Sequence, residues 1–213
     1  MKGIHWLASF PKSGSTWARA FLANLLVPQE GRPLTLQEIA LLPFFTDAGD
    51  KPIGRGFLGK AHRQYDPERH GVGTSVYIIR DPVDIVPSAA NFFGTSPARM
   101  AKEVAKDWPR HVESWHDHSK LILKYEEFPD TFFLLAKVLK IDFMYAEYMQ
   151  ALAHSSFGQL QKDEKENGFS EASEKGGAFF RRGTPGGGRE ILTDRQVQNV
   201  IKGCGEWYER YYS

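Results

Sequence analysis

Short apolar runs alternate along the chain with stretches in which apolar residues recur at helical spacing. Four runs have the composition of strands, namely residues 3–10, 54–65, 73–82 and 120–128. The run GTSVYIIRDP is the clearest of them, because Arg80, Asp81 and Pro82 end it. Helical spacing covers residues 16–26, 34–45, 83–93, 97–118, 130–141 and 192–213.

Two features qualify the helices. Pro109 is expected to break the stretch 97–118 into a helical pair, and Thr193 is expected to cap the last helix. The alternation of strands and helices predicts an α/β fold, a single domain over residues 1–213 whose central parallel sheet is flanked by helices on both faces.

The stretch from residue 159 to residue 192 is polar and rich in glycine. Its composition predicts a mobile loop, at about residues 159–190, and plain disorder is the simpler alternative. We find no internal repeat and no domain linker in the sequence.

Charge and cysteine content narrow the class of protein. Lys and Arg number 27 against 26 Asp and Glu, and this balance argues against a general nucleic-acid or membrane-surface binder. Cys204 is the only cysteine, so it forms no intramolecular disulfide and favours a reducing compartment. No apolar run reaches 18 residues, and the first ten residues do not resemble a signal peptide. We therefore expect a soluble, cytoplasmic protein.

The stretch SFPKSGSTWAR lies between the first predicted strand and the first predicted helix. It is not a Walker loop, because Lys12 precedes Gly14 instead of following the second glycine of the motif. Backbone N–H groups at a helix start, the hydroxyls of Ser13, Ser15 and Thr16, and the Lys12 cation still suit a 5′-phosphate. The alternative is a turn that only caps the helix.

Two motifs carry a family resemblance. PKSGSTW at 11–17 closely resembles the P-K-S-G-T-T-W signature of the cytosolic-type sulfotransferases, which use 3′-phosphoadenosine 5′-phosphosulfate as donor. RDPVDIVPS supplies Arg80 and Ser88 at the spacing of the family's second signature, a pair that grips the 3′-phosphate. On its own, Arg80 would be read as a strand-end salt bridge with Asp81 or Asp84.

A third match is RRGTPGGGR at 181–189, which resembles the family's R-K-G-x-x-G-D-W-K loop over the nucleotide. The resemblance implies that Arg181, Arg182 and Gly183 contact the 3′-phosphate. Gly187 and Gly188 stand where the family has Asp and Trp, so we expect a looser loop and leave the role of Arg189 open.

Smaller similarities concern the adenine. Trp17 ends the first motif, HSSFGQL at 154–160 resembles the segment whose Ser or Thr and Phe flank the base, and LKYEEF resembles the family's Y-E-D stretch. They imply that Trp17, Ser155 and Phe157 surround the purine and that Tyr125 bonds its edge. Core packing is the alternative for each.

The family's general base is a histidine two residues after a lysine, and GKAHRQY places Lys60 and His62 at those positions. The resemblance implies that His62 takes the acceptor proton, that Lys12 binds the 5′-phosphate and the leaving oxygen, and that Lys60 binds the transferring group. It also implies that Ser88 holds Lys12 aside until the acceptor arrives.

The segment WPRHVESWHDH resembles one with His and Trp at the positions of His111 and Trp115, on a helix that lines the cleft. A metal site at His111, His116, Asp117 and His118 is a weaker alternative, because consecutive histidines do not share a helix face, and we predict no metal. Aromatic residues that we expect around the acceptor, with core packing as the alternative, are Phe44, Phe45, Phe57, Phe92 and Phe93.

These motifs predict a sulfotransferase that acts on a hydroxyl, or an amine, of a small molecule. A catalytically silent adenosine-bisphosphate-binding module and a P-loop kinase are the alternatives. The family's dimer segment is not apparent, so we expect a monomer or a weak homodimer.

Overall fold

A computed structural model of the chain describes residues 4–27, 31–42, 58–71 and 73–213. Within these residues the strands are β1 (Ile4–Ser9), β2 (Leu58–Ala61), β3 (Gly73–Ile79) and β4 (Leu121–Lys124). They form one sheet in the order β2-β1-β3-β4, and every neighbouring pair is parallel. The predicted parallel sheet is therefore confirmed, with β1 in an inner position.

The same described residues form ten α-helices. They are α1 (Ser15–Leu26), α2 (Leu36–Leu41), α3 (Pro67–His70), α4 (Pro82–Phe93), α5 (Pro97–His116), α6 (Phe132–Val138), α7 (Tyr145–His154), α8 (Phe157–Asn167), α9 (Gly187–Ile191) and α10 (Asp194–Tyr212). The predicted aromatic residues Phe44, Phe45 and Phe57 lie outside the described residues.

Alternate side chains of the strands enter two separate apolar cores, one on each face of the sheet. Leu7 packs with residues of α1 and α6, whereas its neighbours Trp6 and Ala8 pack with residues of α4, α5 and α10. This period of two is what a strand buried on both faces requires. The prediction of helices on both faces is confirmed.

The predicted break at Pro109 is wrong, because α5 runs from Pro97 to His116 with Pro109 inside it. The apolar face of α5 is buried on both sides of the proline, at Trp108 and Val112. This packing against the sheet and α10 outweighs the roughly 3 kcal/mol that an interior proline costs a helix.

The polar stretch 159–192 is not the continuous loop that its composition predicts. Residues 157–167 form α8 and residues 187–191 form α9. Between them, Phe169 and Phe180 are buried in the core on the α1 face of the sheet. The helix α8 buries only Leu160 and Asp163, so its sequence lacks a marked apolar stripe.

Several ends also differ from the sequence prediction. β4 is four residues long and only Leu123 within it is buried, because it is an edge strand and the chain turns into a 3₁₀ helix at Tyr125–Glu127. The last helix starts as predicted, with a capping box in which Thr193 accepts from the Gln196 amide.

Among the described residues, no helix is both long and apolar enough to cross a membrane.

Candidate functional site

The loop between β1 and α1 has an unusual backbone. Lys12 has φ 69° and Gly14 has φ 98°, so both residues adopt left-handed conformations. A Cβ on Gly14 would overlap the Tyr125 ring, which packs directly against the loop. Only glycine satisfies both conditions without strain. Trp17 and Ala18 donate backbone hydrogen bonds to the Gly14 carbonyl, which starts α1.

This loop forms the floor of one cleft, and the structure brings most of the predicted site residues together there. Predicted residues that line the cleft are Lys12, Gly14, Ser15, Thr16, Trp17, Arg80, Ser88, Tyr125, Phe157, Arg181, Arg182 and Gly183. Of the residues predicted to bind the donor or to act in catalysis, four lie outside its lining: Ser13, Lys60, His62 and Ser155. The cleft thus joins parts of the chain that are far apart in sequence.

Positive charge is concentrated in the cleft. The Lys12 ammonium lies 3.4 Å from the ring centre of Phe179 and 4.3 Å from that of Phe92. Burial, together with the charges of Arg80 and Arg181, lowers the pKa of Lys12 to about 7. Burial and neighbouring cations also lower the pKa of Arg181. A bound anion would relieve this repulsion between like charges.

Arg80 leaves the carboxyl end of β3 and reaches under the loop. Its Nη1 donates to the Lys12 carbonyl at 2.9 Å, and its guanidinium carbon lies 4.2 Å from the Tyr125 ring centre. Within the described residues its buried Nε has no hydrogen-bond partner, and neither has the buried hydroxyl of Ser13. Such orphaned donors beside a cationic cleft fit a phosphate ligand.

In the part of the chain that the structure describes, Arg80 forms no salt bridge with Asp81 or Asp84, the alternative that the sequence left open. Asp81 pairs with Arg189 at 2.8 Å, and the Asp84 carboxylate accepts from the Gly186 and Gly188 amides at 2.6 and 2.7 Å. Both acidic residues therefore bind the glycine-rich stretch instead.

We expected a looser loop around Gly187 and Gly188; in the structure Asp84 accepts from the Gly188 amide and residues 187–191 form α9. A Cβ on Gly188 would overlap the Val83 carbonyl, so α9 approaches α4 through a position without a side chain. Arg189 does not line the cleft; it bonds Asp81 and the Tyr208 hydroxyl.

The cationic segment before this stretch is anchored by α8. Glu164 accepts from the Phe179 and Phe180 amides at 2.5 and 2.8 Å. Gln161 donates to the carbonyls of Phe180 and Arg181 at 3.1 and 2.9 Å. The backbone that carries the arginines is thus fixed by a helix that the sequence analysis missed.

One end of the cleft is aromatic. Trp17 makes edge contacts with Tyr125 and Phe157, at ring-centre distances of 6.0 and 5.4 Å. Its Nε1 donates to the Ser155 carbonyl at 2.8 Å. The Ser155 hydroxyl is buried and donates to the Ala151 carbonyl, so it caps α7 rather than facing the cleft.

Lys60 and His62 lie beside the cleft at the carboxyl end of β2. Because β2 pairs in register with β1, His62 comes next to Ser9, and its Nδ1 lies 2.8 Å from the Ser9 carbonyl oxygen. A carbonyl only accepts, so Nδ1 carries the proton in the neutral ring and Nε2 is the nitrogen that can accept one. The Lys60 charge is near enough to contribute to the lowered pKa of Lys12.

The resemblance implied that His111 and Trp115 line the cleft. In the structure they do not line it, and they lie behind His62 instead. His111 Nε2 donates to the His62 carbonyl at 3.2 Å and its Nδ1 lies 2.9 Å from the Tyr77 hydroxyl, while Trp115 Nε1 donates to the Arg63 carbonyl at 2.8 Å. Burial lowers the pKa of His111 to about 4, so the ring is neutral near pH 7. These side chains hold the backbone of the proposed base.

The histidines of the metal alternative point apart. The His116 Nδ1 lies 2.8 Å from the Tyr211 hydroxyl, whereas His118 stacks on Tyr65 at 3.8 Å. No three His, Cys, Asp or Glu side chains among the described residues are placed to hold a metal ion.

The lining also contains residues that the sequence analysis did not assign to the nucleotide. They are Asp84, Pro87, Phe179, Phe180, Thr184, Gly187, Gly188 and Ile191. Phe179 and Phe180 directly precede Arg181, and this adjacency was the available signal. Of the other predicted aromatic residues, Phe92 contacts Lys12 and Phe93 is half exposed.

The architecture has counterparts among solved structures. Mouse sulfotransferase SULT7A1 complexed with PAP superposes with a TM-score of 0.68 at 19% identity, over 99% of this chain and 84% of that one. This chain has the cytosolic-type sulfotransferase fold. Sequence comparison adds nothing to this result, since no family model and no curated protein matches the chain.

Retinol dehydratase also shares the sulfotransferase fold. Its complex with androsterone and inactive cofactor PAP superposes with a TM-score of 0.67 at 16% identity, over 93% of this chain and 78% of that one. Its complex with retinol and PAP superposes with a TM-score of 0.67 at 15% identity, over 93% of this chain and 79% of that one. At these identities the likeness concerns the fold.

Proposed function

We propose that this chain transfers a sulfuryl group from 3′-phosphoadenosine 5′-phosphosulfate to a hydroxyl, or an amine, of a small molecule. The observation that supports this most strongly is that the Lys12 loop, the Arg80 and Ser88 pair and the Arg181–Gly183 segment meet in one cationic cleft. A donor with anionic groups at both ends of its ribose needs cations from separate directions.

The placement of the aromatic end supports the same donor. We call the loop at residues 10–14 the phosphate loop, since it would bind the 5′-phosphate. Trp17, Tyr125 and Phe157 lie beyond it, where ring faces and edges can receive a purine. The neighbours that share the fold were crystallised with PAP, the nucleotide product of such a donor. Retinol and androsterone in two of those complexes are consistent with a small-molecule acceptor.

In the reaction that we propose, His62 Nε2 takes the proton of the acceptor hydroxyl as the acceptor oxygen bonds to sulfur. The bond from sulfur to the 5′-phosphate oxygen breaks, and its electron pair leaves with adenosine 3′,5′-bisphosphate. Lys12 neutralises charge on the leaving oxygen and Lys60 on the sulfuryl oxygens. Because Lys12 rests on two aromatic rings, the hold by Ser88 that the resemblance implies stays a prediction.

Titration calorimetry tests the donor. Adenosine 3′,5′-bisphosphate should bind much more tightly than ATP with Mg²⁺, and the opposite ranking would favour the kinase alternative. A panel of phenols, alcohols and amines with labelled donor then tests transfer. Tight bisphosphate binding without transfer to any acceptor would indicate the silent binding module.

The variant His62→Ala tests the proposed base. Transfer should fall by roughly 10²- to 10⁴-fold, the usual contribution of a general base, while bisphosphate affinity stays nearly unchanged. The matched control is His118→Ala, since His118 stacks on Tyr65 and does not line the cleft. A large loss of bisphosphate affinity in His62→Ala would refute the assigned role.

A further inference from the structure

One carboxylate connects three separate parts of the chain beside the cleft. Glu171, in the segment between α8 and α9, accepts from Arg19 of α1 through two hydrogen bonds of 2.6 and 2.9 Å. The Lys60 ammonium, on β2, lies 3.3 Å from the same Glu171 Oε2 that receives Arg19 Nη1. The side chains of Arg19 and Lys60 are 1% and 10% exposed.

The two neighbouring cations determine the ionisation state of Glu171. Burial alone would raise the pKa of Glu171, but the hydrogen bonds from Arg19 and the charges of Arg19 and Lys60 outweigh it and hold the pKa at about 2. The carboxylate is therefore ionised near neutral pH. The Glu171 carboxylate thus lies between two cations.

The geometry also ties Lys60 to the phosphate loop. Arg19 lies one helical turn after Ser15, the first residue of α1, so the loop and the guanidinium are parts of the same rigid helix. The bidentate pair fixes the plane of the Glu171 carboxylate, because the guanidinium donors have a fixed fork geometry. Lys60 has a flexible side chain, and its ammonium is directed toward this carboxylate.

We propose that Glu171 is a positioning residue for sulfuryl transfer, which orients the Lys60 ammonium toward the sulfuryl oxygens of the donor while Arg19 fixes the carboxylate. This inference rests on the proposed function. Nothing in the sequence motifs points to Glu171, because it lies in the polar stretch between two of them.

A structural tether is the competing explanation, since Glu171 also attaches its own segment to α1. The two roles differ in which nucleotide they affect. Lys60 acts on the sulfuryl group, so a positioning role changes binding of the phosphosulfate donor and spares adenosine 3′,5′-bisphosphate. A tether that holds the arginines of the same segment changes both affinities alike. The ratio of the two affinities separates the roles, and it also cancels long-range charge effects because both 5′ groups are anionic.

The experiment is a double-mutant cycle on the ratio of donor affinity to bisphosphate affinity. Both affinities are measured by calorimetry, without acceptor, in the wild type, in Glu171→Gln, in Lys60→Met and in the double variant. We expect Glu171→Gln to weaken the donor about fivefold to tenfold relative to the bisphosphate, with no further loss in the Lys60→Met background. Glu171→Asp, which keeps the charge, should fall between wild type and Glu171→Gln. Equal losses for both nucleotides, or losses that multiply in the double variant, would overturn the inference.

Two controls keep the outcomes separate. Asp163→Asn removes another buried carboxylate, which bonds the Leu36 amide, and should leave the ratio unchanged. If Glu171→Gln folds poorly because Arg19 has lost this carboxylate, the double variant Arg19→Met with Glu171→Gln also removes the buried guanidinium, and the same affinity ratio is measured in it. A wild type that binds neither nucleotide would refute the proposed function itself, whereas binding of both with an unchanged ratio would refute only the role of Glu171.

Discussion

The phosphate loop and the arginine-bearing segment both line the cleft, but they are held in different ways. The loop, residues 10–14, is held mainly by its neighbours in sequence: the Ser13 amide donates to the Phe10 carbonyl, and the Trp17 amide donates to the Gly14 carbonyl. Arg80, at the end of β3, adds one hydrogen bond to the Lys12 carbonyl. The segment, residues 179–191, is held by partners from other elements, namely α8, which lies 15 to 20 residues earlier, and Asp84 of α4, which lies 102 to 104 residues earlier. Geometry that is local in sequence can be inferred from a motif, whereas geometry held by remote partners needs the fold.

The largest expected effect comes from breaking the loop. Gly14→Ala places a methyl group against the Tyr125 ring at a residue with φ 98°. Strain and overpacking together should cost about 3 kcal/mol, so bisphosphate affinity should fall about a hundredfold by calorimetry. Gly158→Ala is the matched control, because nothing lies within 4 Å of a Cβ there. Normal affinity in Gly14→Ala would mean that the loop is not built as described.

A pH titration sharpens the comparison at the residue that touches both regions. Lys12 belongs to the loop, yet its ammonium rests on Phe179 of the segment, and burial beside Arg80 and Arg181 lowers its pKa to about 7. Below pH 7 the free protein already has Lys12 charged, whereas above pH 7 an anion must bind together with a proton. Bisphosphate affinity should therefore fall as pH rises from 7 to 9, by up to about tenfold per pH unit.

Calorimetry in buffers of different ionisation enthalpy measures this proton uptake directly. Lys12→Arg should abolish the uptake, because a guanidinium stays charged throughout this range. An affinity that rises with pH above 7 in the wild type would contradict the assignment.

A smaller effect should follow from loosening the segment. Asp84→Asn weakens the hydrogen bonds to the Gly186 and Gly188 amides, since a charged acceptor becomes neutral and one acceptor oxygen becomes a donor. Local stability should fall by about 1–3 kcal/mol, seen as faster hydrogen exchange at both amides. The amides of Trp17 and Ala18 should exchange as before, and faster exchange there would show that the two regions are not independently held.

The smallest expected effect belongs to Gln161→Ala. This variant removes two hydrogen bonds from α8 to the carbonyls of Phe180 and Arg181, while the Glu164 contacts remain. The midpoint of thermal unfolding should fall by the equivalent of about 1 kcal/mol or less. A loss as large as that in Gly14→Ala would mean that α8 supports more of the fold than this segment.

The inner part of the sheet could be predicted because β1 and β3 contain short apolar runs, and the motifs with Lys12 and Arg80 follow the ends of these two strands. β1 and β3 are buried on both faces, so each contains a continuous apolar run, residues 6–8 in β1 and residues 76–79 in β3. The loop after β1 and Arg80 after β3 therefore had to lie at the same edge of a parallel sheet. Local patterns were sufficient for these parts.

The parts that sequence reasoning missed depend on tertiary packing. α8 carries mostly Gln, Lys, Asp and Glu. Gln, Lys and Glu are good helix formers, but the polar composition of the whole stretch predicts a loop. α5 continues through Pro109 because the sheet and α10 pack along it. Glu171 gave no signal at all, since its value arises only when Arg19 and Lys60 meet it in the fold.

The inner position of β1 has a consequence for how the chemistry could vary. The strand that leads to the phosphate loop is flanked by β2, which carries Lys60, and by β3, which leads to Arg80. Neighbouring strands are about 4.8 Å apart, so the backbone hydrogen bonds of the sheet set the spacing of the strand ends that carry Lys60, the loop and Arg80. In the function that we propose, this spacing fixes the length of the donor that fits the cleft, while surface segments can change to admit other acceptors.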